Sequence, residues 1–245
     1  MSLLRTLIAA LLLALASGST ATSPPQIAII IDDLGYRLDA GQRAIRLPGP
    51  IAFAILPGAP RSKDLARRAY KNGKEVLLHL PLQATANDLD QEPMGIHLDM
   101  SRREFNETFA RAIAAVPHAI GVNSHRGSLL TRHPGHMQWL MEEIHSHQDL
   151  FFVDSFTTHQ SVAMQFADET GVSARKRDIF LDPDQDPETV AREFERMKYM
   201  ASKRGSVIVI GHPYPATLEL LERELPLLAD EGFELVTISE LLNND

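Results

Sequence analysis

The 245-residue sequence contains no cysteine. That excludes disulfides, thiolate metal ligands, a lipid-modified cysteine and a cysteine nucleophile together. Aromatics are few, with one Trp and four Tyr, so there is no evident platform of rings for stacking against an extended ligand. Basic residues are outnumbered: 24 Lys and Arg against 32 Asp and Glu give a formal charge of −8. Such a chain is poorly suited to nucleic acid or to an anionic membrane surface. Linkers, repeats and low-complexity runs are also missing, so residues 26–245 read as one domain. A long hydrophobic run is missing as well. The stretch from Leu7 to Ala16 falls short of the roughly 20 apolar residues that a membrane span needs. Preceded by Arg5 and followed by small residues, it makes 1–22 a secretory signal peptide, and the expectation is an exported protein with no stable span after cleavage.

Histidine is plentiful, with ten copies. With thiolates excluded, any metal must sit on His, Asp, Glu or Asn. Short apolar runs begin at "IAIII" (27–31), "IAFAIL" (51–56), "EVLLHL" (75–80), "AIGVN" (119–123), "LFFVD" (150–154), "DIFL" (178–181), "SVIVIG" (206–211) and "ELVTI" (234–238). Amphipathic stretches with helical spacing separate them, several ending in Gly. Runs that are apolar throughout suit strands covered on both faces. Strand then helix, repeated about eight times at this length, predicts a closed or nearly closed β/α barrel.

Polar residues gather where the predicted strands end. Asp32 and Asp33 follow the first strand and His79 lies in the third. Asn123 and His125 follow the fourth, Asp154 and Ser155 the fifth, Asp182 the sixth and His212 the seventh. In a β/α barrel these ends open on one face, the face where active sites are built. Taken singly each has a structural reading as a cap, a turn or a core histidine, and the joint placement favours function. Asp33, His79 and His125 form a set of one carboxylate and two imidazoles, suited to a divalent ion such as zinc with an open position. Asp32 is then the base and His212 the acid, with Asp154 expected to orient His212. Asn123, Ser155 and Arg177 are expected to bind substrate, and Arg177 to pair with Asp178. His133, His136, His145 and His147 read as solvated surface residues.

In order along the chain, "IAIIIDDLG", "FAILP", "LLHLPLQ", "GVNSHRGS", "FVDSFTT", "RDIFLD" and "IGHP" resemble the divergent polysaccharide deacetylases, exported bacterial proteins distantly related to the NodB-type carbohydrate esterases. The resemblance spans nearly the whole mature chain. It implies a distorted (β/α) barrel of seven or eight strands in the periplasm, one divalent ion, and a metal-dependent hydrolase that removes acetyl groups from envelope glycans. It also implies Asp32 as base, Asp33 and His79 as metal ligands, and His212 as acid. The sequence departs from the esterase pattern at Gln83, which stands where those enzymes carry a second histidine. His125 supplies the third contact, or else the protein is a weak or inactive glycan-binding relative on the same fold.

Overall fold

The computed structural model describes residues 23–85, 92–147 and 150–243; the expected leader lies outside them. Strands and helices alternate along the described chain except at β6 and β7, which follow one another. The first half runs β1 (Gln26–Leu34), α1 (Leu38–Ile45), β2 (Ala52–Ile55), α2 (Ser62–Lys71), β3 (Glu75–Leu82), α3 (Arg102–Ala115), β4 (Ala119–Arg126) and α4 (Pro134–Ser146). The second half runs β5 (Phe151–Asp154), α5 (Ala163–Thr170), β6 (Ala174–Lys176), β7 (Ile179–Phe180), α6 (Pro187–Arg204), β8 (Ser206–Gly211), α7 (Pro215–Glu224), β9 (Glu234–Leu235) and α8 (Ile238–Asn243). All strand pairings are parallel. Their order is β6-β5-β4-β3-β2-β1-β8-β7, with β9 added against β1. This is a distorted (β/α) barrel. β6 and β7, consecutive in the chain, stand at opposite ends of that order, and the barrel has an open seam between them.

The longer strands bury two faces, and alternation assigns each residue to one of them. Ile27, Ile29 and Ile31 of β1 pack outward in the larger core, with the helices. Ala28 and Ile30 point inward with Ala52, Ala54, Leu77, Val153, Ile208 and Ile210. Three of these inner residues are alanines, which leave room for a tight curl. Val236, Ile238 and Leu241, at the start of α8 and just before it, join the same inner cluster. Glu75 fixes that helix by accepting the backbone N–H groups of Ile238 (2.8 Å) and Ser239 (3.2 Å) and the Ser239 hydroxyl. Carboxylates at a helix start satisfy donors that lack an intrahelical partner. One end of the barrel is thereby plugged, and the strand C-termini open at the other.

Local signals explain the helix limits. α3 starts at a reciprocal capping box between Ser101 and Glu104. α6 starts behind Asp186, whose carboxylate accepts the Thr189 N–H at 2.9 Å. α5 and α6 stop at Gly171 and Gly205, both left-handed, a conformation that costs glycine little. His136 corrects the surface reading of the α4 histidines. It is 4% exposed and lies against Phe105, Trp139 and His133.

Candidate active site

On the inward face of β1 the order Ala28, Ile30 leads by alternation to Asp32, so Asp33 ought to turn away toward the helices. It does not, because Asp33 has φ +59° and the pairing of β1 with β2 slips between Ile31 and Leu34. A bulge with one residue in the left-handed region re-aims a side chain. Both adjacent carboxylates consequently reach the same ring: His79 Nε2 lies 3.6 Å from Asp32 Oδ2 and 3.1 Å from Asp33 Oδ1.

On β3 the inward residue after Leu77 is His79. Its register partner on β4 is Asn123, and His125 lies two residues further along the same face. Asp33 Oδ1, His79 Nε2 and His125 Nδ1 converge. His125 Nδ1 is 3.0 Å from Asp33 Oδ1 and 3.1 Å from His79 Nε2. One carboxylate oxygen and two imidazole nitrogens about 3 Å apart match the edges of a coordination shell with bonds near 2.0–2.2 Å. Asp33, His79 and His125 are the group of His and acidic side chains, among the described residues, with a geometry able to hold a metal ion. The supporting bonds fit that use. His79 Nδ1 bonds Asn123 Oδ1 at 2.8 Å, and if Nδ1 carries the proton then Nε2 presents its lone pair. Asn123 donates its other amide end to Asp32 Oδ1 at 2.8 Å. Gln83 does not take part, since its side-chain oxygen accepts the Leu98 N–H at 2.8 Å.

Charge in the cluster follows from these contacts. Burial alone would raise the Asp33 carboxyl. Hydrogen bonds with His125 and His79, and the charge on those rings, outweigh burial and hold it well below the usual carboxylate range. Burial opposes charge on His79, yet Asp32 and Asp33 push its pKa up to about 9. Asp32 is raised, chiefly by burial, against the pull of His79 and His212.

His212 enters from the end of β8, continuing the inward order Ile208, Ile210. Its Nε2 lies 3.7 Å from Asp33 Oδ2. Asp182, not Asp154, orients it. Asp182 Oδ1 is 2.9 Å from His212 Nδ1, and Asp182 Oδ2 accepts the His212 backbone N–H at 2.7 Å and the Thr217 hydroxyl at 2.6 Å. Burial works against protonation of His212, but this bond and the neighbouring carboxylates raise its pKa. The same alternation explains the exchange of roles. Val153 points inward, so Asp154 points out, where it accepts Phe156 N–H at 2.9 Å and the Ser161 hydroxyl at 2.7 Å.

Two more expectations are corrected. Asn123 is fully buried with both amide ends engaged, so it positions Asp32 and His79 and does not meet substrate. Asp178 bonds Arg204 at 3.0 Å, while Arg177 donates Nε to Ser155 O at 2.8 Å. Ser155 is 5% exposed and its hydroxyl finds no partner among the described residues. Glu92 escaped sequence reasoning. It accepts the Tyr36 hydroxyl at 3.0 Å and lies 3.9 Å from His125 Nε2.

A family model described as "divergent polysaccharide deacetylase" matches residues 29–242. The uncharacterized protein YibQ of Escherichia coli K12 is 37% identical over 218 residues, covering 89% of this chain and 67% of that one. Among solved structures, an uncharacterized Agrobacterium tumefaciens protein, ATU2773, superposes with a TM-score of 0.85 at 19% identity over 91% of each chain. Peptidoglycan deacetylase PdaC of Bacillus subtilis gives 0.53 at 14% identity, over 90% of this chain and 91% of that one.

Proposed function

Because the chain belongs to the divergent polysaccharide deacetylase family, we propose that it is an exported, metal-dependent hydrolase that removes acetyl groups from an envelope glycan. The proposal includes a leader at 1–22, one domain over 26–245, a periplasmic location, and zinc as the ion held by Asp33, His79 and His125. The observation that carries it is the meeting of His125 with Asp33 and His79, which gives a three-donor set although Gln83 stands in the usual ligand slot. That observation also speaks for a hydrolase over an inactive glycan-binding relative.

When bound, the ion acidifies a water and polarises the acetyl carbonyl. Asp32 is the base. Burial raises its proton affinity, and Asn123 holds Oδ1, leaving Oδ2 to take the proton from the attacking water. His212 is the acid. Asp182 fixes Nδ1 and favours the imidazolium, so Nε2 delivers a proton to the departing amine or alcohol. Ser155, with its unclaimed hydroxyl, and Arg177 are proposed contacts to the sugar. The test is acetate release from acetylated chitooligosaccharide and peptidoglycan fragments, with and without chelator. Zinc-loaded protein is expected to release acetate and chelated protein to release none. No acetate from any glycan with zinc bound would overturn the reading.

A further inference from the structure

We infer that the open seam between β6 and β7 is a subsite for an acidic sugar, a glycan unit bearing a carboxylate, next to the reacting unit. The inference rests on the glycan reading above and narrows its substrate class.

A cleft of about 450 Å³ lies at this seam, with Phe156, Lys176, Arg177, Phe180, Arg196 and Arg204 among its walls. Two of the four cations are already neutralised, Arg196 on Glu193 at 2.9 Å and Arg204 on Asp178 at 3.0 Å. Lys176 and Arg177 are not: neither forms an ion pair among the described residues. Arg177 gives Nε to Ser155 O at 2.8 Å and Nη2 to Phe156 O at 3.4 Å, and Nη1 keeps its donors. Asp32, Asp154 and Asp178 act on the Arg177 guanidinium through space against the cost of its burial, yet none of them makes contact with it, and its planar fork matches a carboxylate better than any other common anion except phosphate.

The rest of the cleft suits a sugar ring. Lys176 Nζ sits 4.7 Å above the Phe156 ring, and the Arg177 guanidinium 4.8 Å from that of Phe180. Each cation covers one face of an aromatic ring, and the remaining face or edge of that ring is what the apolar side of a pyranose would meet. Phe156 is held at φ +51°, a conformation that a bulky side chain adopts only under constraint. Its N–H bond to Asp154 supplies that constraint. Phe180 also touches His212 edge-on at 5.4 Å between ring centres. A sugar in the cleft is thus contiguous with the leaving-group side of the candidate site.

The experiment is calorimetric titration of the full chain, with no metal added, against trigalacturonate, chitotriose and triglutamate. Trigalacturonate is expected to bind at least tenfold more tightly than the other two and to weaken as salt is raised. Lys176→Glu, on an exposed side chain, is expected to lose about tenfold for trigalacturonate and nothing for chitotriose, while Lys176→Arg keeps both. Equal affinity for trigalacturonate and chitotriose, or an indifferent Lys176→Glu with native circular dichroism, would overturn the subsite. Triglutamate binding as tightly as trigalacturonate would overturn the sugar assignment. None of these readouts uses metal or acetate. Failure to release acetate therefore sinks the hydrolase while leaving this result to stand or fall alone.

Discussion

At the scale of single residues, division of labour depends on which groups share a proton and which hold one still. Asp182 never meets substrate in this account; it acts through His212, whose pKa it raises. Asp182→Asn is expected to lower kcat on the order of 10²-fold and leave zinc affinity unchanged. A raised pKa keeps His212 protonated to higher pH, so loss of Asp182 must move the alkaline limb of the rate profile to lower pH. An unmoved limb would remove Asp182 from this role. Asp32→Asn is expected to abolish acetate release while zinc still binds, because Asp32 borders the donor set without belonging to it. Acetate release retained by the zinc-loaded variant would contradict the assignment of the base.

At the scale of elements, the plug and the bulge place the site. Glu75 ties the start of α8 to β3, so Glu75→Ala is expected to cost about 1–2 kcal/mol in urea unfolding without altering zinc affinity. Much of this arrangement was legible in the sequence. The apolar runs located eight of the nine strands among the described residues, and β6 was missed because "ARK" at a sheet edge carries no hydrophobic signal. Strict alternation from Val153 would have turned Asp154 outward, and the same rule from Phe180 puts Asp182 on the inner face beside His212. The choice between them was available at period two. Asp33 was not legible in that way, because alternation alone turns it away from Asp32, and only the left-handed bulge brings the pair together. His125 was legible as a strand-end histidine, while its fit beside His79 depends on the register of β3 and β4.

At the scale of the whole molecule, the proposed ion would enter a largely buried cluster that carries charges of its own. Without metal, His79 has a pKa raised from 6.5 to about 9. Its contribution to stability is therefore fully present below pH 6.5 and lost as the pH rises through about 9. Zinc requires the neutral ring and must displace that proton. Apparent zinc affinity is accordingly expected to rise about tenfold per pH unit across the neutral range and flatten near pH 9. Binding to the folded state alone should also raise Tm on zinc addition. The central claim is that His125, from the fourth strand, completes the ion's grip in place of a histidine at position 83. Zinc titration of metal-stripped wild type beside His125→Ala tests it. One zinc per wild-type chain and a loss of at least about 100-fold in affinity on removing His125 is the expected outcome; an unchanged affinity in His125→Ala, or no zinc uptake by the wild type, contradicts it.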